Sequence, residues 1–317
     1  MKRSTDLRQY STVLRLPVLA VLTLCLLAAQ CRNPLTFFRQ SDIEPTSVPT
    51  PDLSDPATDL LDVVYERGYL KVGVRVWPDA NFNPPLSRSP LGGLIGYEVD
   101  LAWVLADGLG VGLEMAEADP RRIRAGDWQG EYDVALAWLP ITDDSQQQLI
   151  FSVPYAYDRA WLVVHRDNET ITDFDDLSGK QVGVPVFSLY EQILNGQSPT
   201  IQGQSLSGAI PPGIDLRVYN RDGNAIRDLA EGDGVVLDAV IHSQLVLNMA
   251  ITDDLMPLKQ AGEPLFLAPI GAVYDRKGMS SERLQSAIDD ILSRRHRDGT
   301  LSDLSLKWYE ADISVLP

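Results

Sequence analysis

Leu70-Lys71-Val72-Gly73-Val74 recurs as Lys180-Gln181-Val182-Gly183-Val184, and each copy is followed about sixty residues later by an aspartate that opens an apolar run. Those partners are Asp133-Val134-Ala135-Leu136-Ala137 and Asp238-Ala239-Val240-Ile241. Short apolar runs alternating with helical patterns predict α/β units around a buried parallel sheet, and the repetition predicts two lobes built alike. Ligands of open α/β sheets sit beyond the carboxyl ends of the strands. The residues after the four runs then form a candidate cleft wall: Trp77, Trp138, Phe187 and the pair His242-Ser243. That wall reads as aromatic and nearly uncharged.

At 317 residues and 44% hydrophobic content the chain has the composition and length of two ordinary globular domains. Its first thirty residues differ: Lys2, Arg3, Arg8 and Arg15 precede an apolar stretch from Leu16 to Ala29, the pattern of an export signal and too short for a membrane span. Both cysteines lie here, Cys25 inside the stretch and Cys31 at its end in Leu27-Ala28-Ala29-Gln30-Cys31. This resembles a bacterial lipoprotein signal, in which the cysteine becomes the lipidated first residue, although Gln30 stands where a small residue is usual. An ordinary cleaved signal or an uncleaved anchor are the alternatives. Either way, the exported body has no cysteine pair and no internal disulfide. The whole chain carries a formal charge of −17, with the basic leader making the remainder more acidic still. Such a surface repels nucleic acid and anionic head groups.

Residues 31–59, rich in Pro, Ser, Thr and Asp from Ser41 onward, read as a flexible tether. The body begins near Leu60, where Leu60, Leu61, Val64 and Tyr65 follow helical spacing and Gly68 closes the turn. A second helix is predicted from Tyr97 to Leu109, ending at Gly108 or Gly110. The run Gly108-Leu109-Gly110-Val111-Gly112 follows that helix instead of opening one, so its glycines cap and turn the chain and do not cradle a nucleotide. Ala160 to Val164, and Leu265 to Ala268 with Gly271 to Tyr274, are apolar strands flanking everything between. They are the natural crossings between a discontinuous first lobe (60–164 and 265–317) and an inserted second lobe (165–264). Segment 195–213 reads as an irregular loop. A helix from Ser281 to His296 and another through Trp308, capped by Thr300 with Asp303, finish the chain.

The ordered motifs resemble the extracytoplasmic solute-binding proteins of the polar amino acid type, family 3, which deliver ligands to ATP-binding-cassette importers. The matching pieces are Leu70 to Val74, Gly96-Tyr97-Glu98-Val99-Asp100-Leu101-Ala102, Glu131-Tyr132-Asp133, and Ile141-Thr142 leading to Phe151-Ser152-Val153-Pro154-Tyr155. Asp176 to Val184, Asp298-Gly299-Thr300-Leu301 and Lys307-Trp308-Tyr309 follow, so the resemblance covers the body from about 66 to 310. It implies two α/β lobes joined by two crossing strands, a ligand held between them, closure on binding, a permease partner, and a monomer with no cofactor and no metal.

The family's ligand-binding positions are altered here. Three residues past Thr142 the family has an arginine that forks onto the ligand's α-carboxylate, and this chain has Ser145. Five residues past Asp238 the family has an acid that receives the α-ammonium, and this chain has Ser243. Trp138, Leu139 and Pro140 replace small polar residues, and Phe187-Ser188 replaces Gly-Thr. Serine cannot supply the charge-assisted pair of either anchor. A zwitterion in a closed cleft without them leaves buried charge unpaired at a cost of several kcal/mol, which points away from an ordinary free amino acid. Trp77, Phe82, Trp138 and Phe187 offer aromatic faces to a less polar or cationic ligand. Asp143 and Asp144 near the rim read as helix N-terminal acids.

Two other classes compete with transport. The same fold resembles that of cyclohexadienyl and arogenate dehydratases, with His242 at a strand end as the one candidate acid or base, but a single histidine with no nucleophile beside it favours a non-catalytic protein. A ligand sensor or non-transport binder is the other, with any signalling output supplied by another chain. His165, His242 and His296 are too widely spaced for a zinc site.

Overall fold

Asp133 and Asp238 explain the repeated motif. In each lobe the aspartate carboxylate accepts a backbone N–H two residues before the echoed glycine, Asp133 from Lys71 and Asp238 from Gln181, both at 2.8 Å. The aspartate's own N–H returns to the carbonyl of the same residue, at 2.8 and 2.9 Å. The residue before each aspartate then packs over the strand's glycine. A Cβ on Gly73 would lie 2.4 Å from the Tyr132 ring, and one on Gly183 would lie 2.8 Å from Leu237 Cδ1. The glycines therefore permit a close approach that no larger residue allows.

The computed structural model describes residues 59–76, 87–88, 93–252 and 255–316. Helix α1 (Leu60–Arg67) leads to β1 (Tyr69–Val74) and, after a short antiparallel pair β2 (Ser87–Arg88) and β3 (Leu94–Ile95), to α2 (Tyr97–Leu109) and β4 (Gly112–Glu117). Then come α3 (Pro120–Ala125), β5 (Val134–Pro140), α4 (Ser145–Gln148), β6 (Leu149–Phe151) and the first crossing strand β7 (Ala156–His165). The inserted lobe holds β8 (Gln181–Pro185), α5 (Leu189–Leu194), a hairpin of β9 (Thr200–Ile201) and β10 (Gln204–Ser205), β11 (Asp215–Tyr219), α6 (Asp222–Ala230), β12 (Ala239–Ser243) and α7 (Gln244–Thr252). The second crossing β13 (Leu258–Asp275), α8 (Glu282–Arg297) and α9 (Thr300–Tyr309) return to the first lobe.

The sheet order β11-β8-β12-β7-β13-β5-β1-β4 reads alike from both ends. In each lobe the echoed strand (β1 or β8) lies between two parallel neighbours, and an antiparallel crossing strand comes next. The sheet is thus mixed: parallel within the lobes, antiparallel where β7 pairs β13. Helices α2, α8 and α9 cover one face of the first lobe around Leu101, Leu105, Ile288 and Leu292, while Trp128, Tyr132 and Ile123 cover the other. In the second lobe α6 and α7 pack on one face and Tyr190, Leu177 and Ile171 on the opposite one. Along β7 the change of core falls between Ala156, in the first lobe's core, and Ala160, in the second's.

Of the two candidate ends of α2 the structure selects Gly110, which caps the helix in the left-handed region, while Gly108 lies inside it, where a Cβ would come within 2.9 Å of Ile291. Two local expectations change. The loop 195–213 contains the β9–β10 hairpin. Helix α9 is capped by Gly299 without a side-chain bond, because Thr300 is held by Asp298 instead. Asp59 accepts N–H bonds from Leu61, Arg283 and Leu284 at 3.0, 3.1 and 3.2 Å, tying the start of α1 to that of α8. No described helix is long and apolar enough to cross a membrane.

Candidate functional site

The ends of β1, β5, β8 and β12 converge on a cavity of about 300 Å³, as the strand-end rule requires. Trp138, Thr142, Ser145, Phe187, Ser188, His242 and Ser243 all line it. Trp77, Phe82 and Cys31 lie outside the described residues. The expectation of a nearly uncharged wall is corrected: Arg75, Arg124, Asp144 and Asp158 line the same cavity, with Tyr190 and Phe266.

Several of the polar residues are engaged locally. Ser145 and Thr142 exchange backbone-to-hydroxyl bonds of 2.9 and 3.0 Å, which close the turn leading into α4. Ser188 caps α5 by accepting the Glu191 N–H at 3.1 Å. Trp138, 7% exposed, belongs both to the wall and to the first lobe's core. Its backbone sits at φ 49°, and its N–H donates to Glu98 Oε1 at 2.7 Å. The indole N–H faces Asp158 but has no partner at hydrogen-bonding distance.

His242 is buried, and its Nδ1 accepts the Ser243 N–H at 2.7 Å, so the neutral ring carries its proton on Nε2. Burial, and then the charge of Arg75, hold its pKa down at about 3. Asp158 stands on β7 and accepts the Ser243 hydroxyl at 2.5 Å. Burial pushes its carboxyl up to about 6, against the hydrogen bonds that favour the charged form.

Among the described residues away from the crossing strands, two polar contacts run from the first lobe to the inserted segment. The Arg124 guanidinium lies 5.0 Å from the Phe187 ring centre and donates to the Phe187 carbonyl at 3.2 Å. Phe187, 52% exposed and at φ 62°, donates its own N–H to Glu191. Burial and then the like charge of Arg75 lower the Arg124 pKa to about 10. Asp143 is the second contact, and this corrects its reading as a helix N-terminal acid. Its carboxylate accepts the N–H groups of Gln202 and Gly203 at 3.0 and 2.8 Å, and its N–H donates to Thr200.

Arg75, Arg124, Asp158 and Tyr190 escaped the sequence reading. Asp158 carried a legible signal: Ala156, Asp158 and Ala160 alternate with Tyr157 and Arg159, so a period of two puts the acid on the inward face. Arg75 follows Val74 directly, nearer the strand end than Trp77. Arg124 sits on a helix that the sequence reading did not assign.

A family model described as bacterial extracellular solute-binding proteins, family 3, matches residues 74–311. The chain belongs to this family. Among curated relatives, the L-cystine-binding protein TcyJ of Escherichia coli (strain K12) is 30% identical over 262 residues, covering 80% of this chain and 88% of the relative. The probable amino-acid-binding protein YxeM of Bacillus subtilis (strain 168) is 26% identical over 231 residues, 73% and 82% of the two chains. An ancestral arginine-binding protein solved with arginine aligns over 77% of this chain and 99% of its own, with 27% identity and a TM-score of 0.61. The P235GK mutant of ArgBP from T. maritima shares the fold at 22% identity and a TM-score of 0.63, over 79% of this chain and 99% of its own. The architecture is the two-lobed one of periplasmic binding proteins, with a discontinuous first lobe and an inserted second lobe.

Proposed function

We propose that this chain is the extracytoplasmic solute-binding component of an ABC-type importer, non-catalytic, holding one small ligand between its lobes and delivering it to a permease by hinge closure. The observation that carries the reading is the shared cavity: β1 and β5 reach it from the first lobe, β8 and β12 from the second. A ligand there touches both lobes, and such contacts are what favour a closed state. Relatives described as binding L-cystine and histidine support a small organic ligand. The family's head-group anchors are replaced by Ser145 and Ser243, so the ligand is held differently from an ordinary amino acid. We assign Trp138, Thr142, Phe187, Ser188 and His242 to its walls, a change of lobe along β7 between Ala156 and Ala160, and membrane attachment to a lipidated Cys31. Native mass spectrometry of gently purified protein tests the reading. A retained small molecule, lost on mild unfolding and absent from a Trp138→Ala variant, is the expected result. Retention unaffected by cavity substitutions would move the ligand elsewhere and sink the assignment.

A further inference from the structure

We infer that the cleft selects an organic anion, a carboxylate on an apolar body without an α-ammonium group, and that Arg75 and Arg124 are its specificity-determining residues. This rests on the cleft-binding reading above. The two arginines come from different elements of the first lobe, the end of β1 and α3, and line the same cavity. They lie close enough that the charge of Arg75 depresses the pKa of Arg124, the sign of two cations sharing a partly desolvated space. An anion between them relieves that repulsion, and guanidinium groups match a carboxylate's geometry.

The rest of the wall agrees. The Trp138 indole N–H is turned toward Asp158 and His242 Nε2 is enclosed, which leaves the guanidinium groups of Arg75 and Arg124 as the cations among the described lining residues. The remaining lining is largely apolar or aromatic, including Leu139, Val186, Leu245 and Phe266. Where the family presents an acid to the ammonium, Ser243 turns its hydroxyl to the protein's own Asp158 at 2.5 Å, so the buried acid already has an internal donor. Glu98 feels the charge of Arg75, Glu191 acts on Arg124, and exposed Asp144 stands at the rim; none of the three stands where the family places its ammonium-binding acid.

Two matched series read this directly by calorimetry and thermal shift on the full-length protein. They are 3-phenylpropanoate, L-phenylalanine and 3-phenylpropanamide, then 4-methylpentanoate, L-leucine and 4-methylpentanamide. In at least one series the carboxylate should bind about tenfold more tightly than both partners. Arg75→Gln should weaken it about tenfold while changing amide affinity less than about twofold, and Arg124→Gln, which also loses the contact with Phe187, should weaken carboxylate binding about tenfold more than amide binding, with ligand-free melting as the folding control. An amino acid that binds more tightly than its des-amino partner, or arginine variants that leave carboxylate affinity unchanged, would overturn the inference while leaving the cleft reading intact. If none of the six compounds binds, the inference falls, and the native mass spectrum decides separately whether the cleft holds a ligand at all.

Discussion

Glu98 is fully buried, and its Oε1 takes both the Trp138 N–H and the Tyr155 hydroxyl, at 2.7 and 2.5 Å. It thereby holds Trp138, a bulky residue at positive φ, in a conformation that costs about 1–2 kcal/mol. Burial raises its pKa from 4.5 to about 7, outweighing the opposing bonds from Tyr155 and Trp138 and the charge of Arg75. Because the folded value exceeds the unfolded one, the folded state binds more protons between those values, and stability falls as pH rises through that window. Glu98→Gln keeps the acceptor and cannot ionise. Its melting temperature relative to wild type should therefore rise between pH 5 and pH 8, by the equivalent of at most about 3 kcal/mol. A difference that does not vary with pH would show that Glu98 titrates alike in both states. His242 has the opposite sign: its folded pKa is depressed to about 3, so its contribution is lost as pH falls below about 6.5.

Gly73 and Gly183 are equivalent positions in the two lobes with unequal neighbours. An added methyl at Gly73 meets three atoms of the Tyr132 ring, which is stacked on Trp128 at 4.8 Å, whereas at Gly183 the nearest atom is the flexible end of Leu237. Overpacking of this kind costs about 1–3 kcal/mol, so Gly73→Ala should lower the denaturant midpoint more than Gly183→Ala. Equal losses would refute the asymmetry. The β9–β10 turn is the other testable element. Gln202 and Gly203 both have positive φ, 51° and 75°, the pattern of a type I′ hairpin, and Asp143 accepts both their N–H groups. Asp143→Ala should speed hydrogen exchange at those two amides and raise the ligand dissociation rate several-fold. Unchanged exchange would leave Asp143 without a clasping role. These elements also mark what the sequence could convey. The echoed strands and their aspartates were legible because a local motif writes the backbone pairing. The hairpin hid in a segment rich in Gly, Ser, Gln and Pro, and Arg124 hid on a six-residue helix too short to show periodicity.

Across the whole molecule, β7 and β13 form one antiparallel ribbon and not two separate tethers: Ala156–Ala160 pair with Phe266–Ile270, and Leu162–His165 with Leu258–Ala261. The register breaks between Ala261 and Phe266, with Gly262 at φ 68°. Closure by twisting this ribbon should lower the radius of gyration in small-angle scattering when ligand saturates the protein, and no change at saturation would refute a hinge mechanism. Cys31→Ala should release the protein from the membrane fraction or leave it unprocessed, whereas normal processing with full membrane retention would refute lipidation. Asp59 carries a mechanical consequence. A pull applied at that residue would enter the first lobe at the starts of α1 and α8, away from the β7–β13 ribbon about which the lobes would turn.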